Sequence, residues 1–127
     1  MLALHLMPET YHLVDGAFLS RMKPSAYLVN PARGSLVDEA AVVSALSDGR
    51  LAGYAADTFE MEDWALEGRP REIHPALRSS DRAILTPHIG SAVATVREAI
   101  ERSAAESILA VRNGPVPDAA INPEARR

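Results

Sequence analysis

Four side chains in this sequence have types and positions suited to acid–base chemistry on a small anion: Arg33, Asp57, Glu62 and His88. Arg33 stands in Asn30-Pro31-Ala32-Arg33-Gly34-Ser35, directly after the apolar run Ala26-Tyr27-Leu28-Val29. A guanidinium there presents a rigid fork of donors that matches a carboxylate or another oxyanion. Asp57 ends a second small apolar run, Gly53-Tyr54-Ala55-Ala56, and His88 follows a third, Ala83-Ile84-Leu85, through Thr86-Pro87. Read as parallel strands, the three runs bring their carboxyl ends to one edge of a sheet, where open α/β sheets bind their ligands. Glu62, shortly beyond Asp57, is within reach of His88 on that edge. A carboxylate holds an imidazole in one orientation, the usual construction of a general acid/base near neutral pH. With an oxyanion clamp alongside, the set suits a redox or proton-transfer reaction on a small anionic substrate.

Taken singly, each of these residues has a purely structural alternative. Arg33 reads equally as a surface arginine of a strand-to-helix loop, His88 as a loop histidine bonded to backbone, and Asp57 as a turn or capping residue. Glu60, Glu62 and Asp63 read equally as a solvated acidic patch. His5, His12 and His74 lack the paired spacing of a metal site and are expected to be structural or surface residues; no metal is expected. Ser35, Ser79 and Ser91 do not lie in a G-x-S-x-G elbow, which argues against a serine hydrolase.

The segments that must position these groups follow from the apolar pattern. Met1 to Leu6 is expected to be a short buried strand ended by Met7-Pro8. Asp15 is expected to cap a helix over Gly16 to Met22 that buries Phe18, Leu19 and Met22, stopped at Pro24. Ala26 to Val29 is apolar throughout, as suits a strand covered on both faces. Asp38 opens a second helix through about Asp48, with Val42, Val43 and Leu46 inward. Glu39 suits its positive end, and Gly49 stands where a left-handed cap is expected. Phe59 to Arg82 is long and irregular, a kind of loop that is usually functional or disordered. From Ala92 to about Asn113 runs the longest helix, with Ser91 as its expected cap and Val93, Val96, Ile100, Ala104, Ile108 and Val111 as its apolar stripe. Gly114-Pro115 ends it, and the segment from Val116 to Arg127 is expected to be loosely held. Strands alternating with helices indicate an α/β parallel sheet, here resembling the second half of a doubly wound domain. The glycine-rich turn G-x-G-x-x-G of a first half does not occur.

Bulk properties narrow the classes further. A chain of 127 residues with a hydrophobic share of 47% supports one domain with a modest core. The net charge of −4 and the lack of a basic run argue against nucleic-acid binding. The absence of cysteine excludes disulfides, thiolate metal sites and a cysteine nucleophile. No apolar run is long enough to span a bilayer, and the N-terminus lacks the features of a signal peptide, so a cytoplasmic protein with no membrane partner is expected.

Asn30-Pro31-Ala32-Arg33-Gly34-Ser35-Leu36-Val37-Asp38-Glu39, Ala56-Asp57-Thr58-Phe59-Glu60-Met61-Glu62 and Thr86-Pro87-His88-Ile89-Gly90-Ser91 together resemble the D-isomer-specific 2-hydroxyacid dehydrogenases in order and spacing. The resemblance runs from about Leu4 to Asn113. It implies the C-terminal half of a Rossmann-type parallel-sheet NAD-binding domain over 1–91, a long closing helix over 92–113 and a tail over 114–127. By the same resemblance Arg33 clamps the substrate, Glu62 is the carboxylate partner and His88 the acid/base. Asp57 matches the aspartate that contacts the nicotinamide carboxamide, and Asn30, Pro31 and Ala32 lie along the nicotinamide riboside. Arg33, His88 and Gly90 complete the implied cofactor contacts. The implied cofactor is NAD, with NADP open because the residue that reads the adenosine ribose lies upstream. A homodimer is implied for the full-length protein.

Within that family, Phe59-Glu60-Met61-Glu62-Asp63-Trp64-Ala65 and Gly68-Arg69-Pro70-Arg71-Glu72-Ile73 resemble the phosphonate (phosphite) dehydrogenases. Commoner 2-hydroxyacid members tend to have proline where Asp63 stands. On this reading Arg33 holds a dianionic phosphite, hydride passes from phosphorus to the nicotinamide, and His88 is the base for the water that adds to phosphorus. Arg97 resembles a further positive, substrate-facing residue of phosphite-oxidising members. The alternatives are a small D-2-hydroxy acid as substrate, or a non-catalytic remnant that retains fold and self-association. Leu6-Met7-Pro8-Glu9-Thr10 is shorter than the family's usual segment, and everything ahead of the implied fourth strand is missing, so the chain is expected to be inactive alone.

Overall fold

The structure is a computed structural model and describes residues 1–114. The chain divides into two compact units, Met1–Ile89 and Gly90–Arg127. In the first, Tyr27–Asn30 (β1), Gly53–Ala56 (β2) and Ala83–Leu85 (β3) form a parallel sheet in the order β1-β2-β3. Asn30 lies opposite Ala56, and Ala56 opposite Leu85. The residues that follow, Pro31, Asp57 and Thr86, therefore leave the sheet at one common edge.

Met1 to Leu6 departs from the expected strand. A single bond, from the Leu2 N–H to the Val29 carbonyl at 2.9 Å, ties it to β1. Met1 and Leu4 are exposed, so the run lacks both the repeating ladder and the two-sided cover of a parallel strand. A 3-10 turn over Pro8–Thr10 follows it.

The first helix, α1 (Gly16–Leu19), is shorter than its apolar spacing predicts. The Asp15 carboxylate accepts the Phe18 N–H at 2.7 Å, as a cap should. After Ser20 the bonds tighten to the i−3 type, and a single turn has room for one inward position. Leu19 takes that position, Met22 packs at the core margin, and Phe18 is left exposed.

The second helix, α2 (Glu39–Ser47), begins where expected, with the Asp38 carboxylate accepting the Ala41 N–H at 3.0 Å. It ends before Gly49, whose φ of +67° is the left-handed cap that glycine supplies without a Cβ clash. Val42 and Leu46 are buried, and Val43 packs at the core margin.

The long stretch after β2 is ordered. It contains a 3-10 turn over Glu60–Glu62 and a short helix, α3 (Pro75–Arg78), which buries Leu77. The Arg69 guanidinium lies 4.5 Å from the Trp64 ring centre, and its Nε donates to the Met61 carbonyl at 3.0 Å.

The second unit contains the long helix α4 (Ala94–Asn113). Its cap position is Val93 rather than Ser91, so it starts without a side-chain acceptor, and Gly114 at φ +111° closes it. Nothing among the described residues of its own unit covers the Val96–Val111 stripe. The tail expected from Val116 onward lies outside the described residues. Among the described residues no helix is long and apolar enough to cross a membrane.

Candidate active site

The site is built at the carboxyl edge of the sheet. Asn30, the last residue of β1, is fully buried, and its amide shapes the turn that follows. Nδ2 donates to the Arg33 carbonyl at 2.8 Å, and Oδ1 accepts the Ala32 N–H at 3.1 Å. A buried amide with both ends satisfied fixes a turn that loop sequence alone would leave free. Arg33 is thereby presented at the surface, with Nη1 donating to the Ala32 carbonyl at 2.8 Å. Pro31, Ala32 and Arg33 line a cleft of about 600 Å³ with residues 1–6.

Asp57 ties the strand ends together. Its N–H donates to the Asn30 carbonyl at 3.1 Å. Its Oδ1 accepts the Thr86 hydroxyl at 2.5 Å and the Ile89 N–H at 2.9 Å. The carboxylate thus clamps the segment that carries His88.

His88 and Glu62 meet directly, with Nδ1 and Oε2 2.5 Å apart. The other carboxylate oxygen of Glu62 accepts the Phe59 N–H at 3.0 Å. An ionised carboxylate only accepts, so Nδ1 carries the hydrogen and Nε2 is the nitrogen left to exchange a proton with a substrate. The imidazole is half-exposed, as that exchange requires. His88 sits at φ +53°, a left-handed conformation that costs a non-glycine residue roughly 1–2 kcal/mol. Such strain persists where surrounding bonds over-determine the backbone, and here the Ile89–Asp57 and Thr86–Asp57 bonds flank it.

Two connections between the arginine turn and the Glu62 turn escape sequence reasoning. The 3-10 turn Gly34–Leu36 passes so close to the next that a Cβ on Gly34 would lie 1.8 Å from the Phe59 carbonyl carbon. The Ser35 N–H donates to Asp63 Oδ2 at 2.8 Å. The glycine after Arg33 was the one signal available; its tight partner lies far along the chain.

The alternative reading of Glu60, Glu62 and Asp63 as one solvated acidic patch does not hold. Glu60 is buried and bonds His12 Nε2 through Oε2 at 2.9 Å, while its Oε1 accepts the Glu39 N–H at 2.9 Å. Glu39, expected at the helix start for its dipole, is buried as well; it accepts the Glu60 N–H at 3.1 Å and the His74 N–H at 3.1 Å. His12 and His74 are therefore structural residues, His74 also accepting the Ala76 N–H at 3.2 Å. Among the described residues no group of side chains could hold a metal ion.

Desolvation holds the Glu39 carboxyl above the usual glutamate range, against the lowering effect of the His74 and Glu60 N–H bonds. The folded state therefore keeps a proton that the unfolded chain releases at about pH 4.3. Stability from this group is full below that pH and is lost as pH rises through the higher folded value. Glu39→Gln is expected to remove this slope. In paired thermal melts from acid to neutral pH, the variant gains on the parent as pH rises; a constant gap would show that Glu39 ionises normally in the fold.

Gly90 and Arg97, the remaining expected site residues, belong to the second unit.

The D-isomer specific 2-hydroxyacid dehydrogenase, NAD binding domain, family model matches residues 1–90. The glyoxylate reductase of Thermococcus onnurineus is 41% identical over 124 residues, covering 98% of this chain and 35% of that protein. The glyoxylate reductase of Thermofilum pendens is 41% identical over 119 residues, covering 94% and 33%. The NAD-complexed D-isomer specific 2-hydroxyacid dehydrogenase of Lactobacillus delbrueckii ssp. bulgaricus superposes with a TM-score of 0.77 at 30% identity, covering 94% of this chain and 38% of that one. A glyoxylate reductase from Paecilomyes thermophila gives 0.79 at 31% identity, covering 90% and 33%. The chain spans about a third of the length of the curated relatives it matches. Its parallel sheet and the match over 1–90 place it in one family: the chain belongs to the D-isomer specific 2-hydroxyacid dehydrogenases, as part of their NAD-binding domain.

Proposed function

We propose that this chain supplies the acid/base pair, the substrate-binding arginine and the nicotinamide end of the cofactor site to an NAD-dependent oxidoreductase of small 2-oxo and 2-hydroxy acids, with glyoxylate as the representative substrate. The observation that carries this reading is the 2.5 Å contact of His88 Nδ1 with Glu62 Oε2, on the sheet edge that also bears Asp57 and Arg33.

The reduced nicotinamide supplies the hydride when bound. Arg33 binds the substrate carboxylate through its fork of donors. His88 Nε2 holds the proton that the substrate's carbonyl oxygen takes up as it becomes a hydroxyl, and receives it in the reverse direction. Glu62 keeps the hydrogen on Nδ1 and holds the ring in one orientation. The cleft along Pro31, Ala32 and Arg33 has room for a flat ring and its ribose. The residues present fit that end alone, since no glycine-rich turn is available to cradle the pyrophosphate.

The isolated chain is accordingly expected to show no saturable heat or fluorescence change on titration with NADH. Tight binding would remove this division of labour. Joined behind the N-terminal remainder of one of the relatives named above, it is expected to oxidise NADH with glyoxylate. The phosphite reading rests on the stretch from Phe59 to Ile73; the glyoxylate reductases among the relatives favour a 2-oxo acid over it. NAD reduction with phosphite but not with a 2-hydroxy acid would reverse that choice. A homodimeric, cytoplasmic enzyme accords with the proposal. Inactivity on both substrates, with self-association intact, would leave the chain an association module.

A further inference from the structure

We propose that Asp63 is a positioning residue, fastening the turn that carries Glu62 to the turn that carries Arg33 and so fixing where Glu62 meets His88. The inference rests on the functional reading of the His88–Glu62 pair and adds a residue to it.

Glu62 ends a 3-10 turn of three residues, too short to fix its own orientation. Both sides of that turn are anchored from outside. Ahead of Glu62, the buried carboxylates of Glu39 and Glu60 exchange backbone bonds, the Glu60 N–H donating to Glu39 and the Glu39 N–H to Glu60. Directly after Glu62, Asp63 Oδ2 accepts the Ser35 N–H at 2.8 Å. Ser35 belongs to the turn that begins immediately after Arg33, and its carbonyl accepts the His12 N–H at 2.8 Å. Gly34 completes the contact by bringing the backbones of the two turns together without a side chain between them.

The Glu39–Glu60 exchange lies in the core and serves the fold. Asp63 is only half-buried and bonds a single N–H on the opposite turn, so its removal leaves the core contacts in place. What it removes is the tether on the open side of Glu62. The carboxylate can then swing from Nδ1, and the imidazole loses the acceptor that selects its tautomer.

The ring-nitrogen chemical shifts of His88, read by 15N NMR on the 127-residue chain at about pH 9, well above the ordinary histidine value, report that tautomer directly. The parent is expected to hold the hydrogen on Nδ1, and Glu62→Ala, which removes the acceptor, to shift it toward Nε2. Asp63→Ala is expected to reproduce the Glu62→Ala shift, and Asp63→Asn, which keeps an acceptor oxygen for Ser35, to restore the parent pattern. A residue that merely stabilises the fold would lower the melting temperature and leave the tautomer unchanged. Should Asp63→Ala fail to fold, Asp63→Ser, whose hydroxyl is a bond too short for the same contact, decides in its place. A parent-like tautomer in either variant overturns the positioning role while leaving the His88–Glu62 pair standing. Failure of Asp63→Asn to rescue overturns it too, since charge and not the Ser35 bond would then be at work. If Glu62→Ala itself shifts nothing, the pair reading fails first, and this proposal with it.

Discussion

Substituting His88 with asparagine in the reconstituted enzyme is expected to lower kcat by about two to four orders of magnitude while leaving the thermal melt close to the parent's. Asparagine suits the test because it tolerates the left-handed backbone that His88 occupies at φ +53°, so lost chemistry is not confused with lost backbone fit. The size of the effect follows from the proposed role: His88 is the group that gives the substrate oxygen its proton, and it is the imidazole that Glu62 orients. His12 is bonded to Glu60, and His74 is bonded at the start of α3. Glu62→Ala should cost less, because it leaves the imidazole present and removes only its orientation and tautomer selection. Steady-state kinetics with glyoxylate would check both. A decrease under tenfold for His88→Asn would withdraw the acid/base assignment.

The second large effect is structural. Gly34→Ala is expected to destabilise the chain by at least about 3 kcal/mol, or to leave it unfolded, because the added Cβ meets backbone rather than a movable side chain. The atoms it would strike, the Phe59 carbonyl and the Glu60 N, lie at 1.8–2.2 Å and belong to the turn that carries Glu62. Relief requires the two turns to separate, which also breaks the Ser35–Asp63 bond. Gly16→Ala is the control: nothing lies within 4 Å of its Cβ position, so a change within about 1 kcal/mol is expected there. Denaturant titration of the two variants separates the outcomes. Equal, small losses would mean that the turns are free to part, and that Arg33 and Glu62 are not held as one body.

Much of the sheet was legible because parallel strands leave a local record. Short apolar runs bounded by turn residues identify β1, β2 and β3, and Asp38 and Gly49 mark the ends of α2 by capping chemistry that depends on near neighbours. The convergence of Arg33, Asp57 and His88 on one edge also follows from the sequence, since parallel strands share their carboxyl ends. Met1 to Leu6 shows where that record misleads: an apolar run becomes a strand only with a ladder and cover on both faces, and neither can be read from the run itself.

What the sequence determined by itself is the family, the parallel architecture and the set of groups at the sheet edge, because these reside in motifs a few residues long. Tertiary structure decided which acid does what. Glu60, Glu62 and Asp63 are nearly consecutive and chemically alike, yet Glu60 is buried against Glu39 and His12, Glu62 meets His88, and Asp63 holds Ser35. Each of those partners lies more than twenty residues away; the passage of one turn against another at Gly34 brings in Ser35, and the Asp57 clamp on the segment after β3 holds His88. A carboxylate's role is set by the donors that surround it, and those donors are assembled only when distant segments pack.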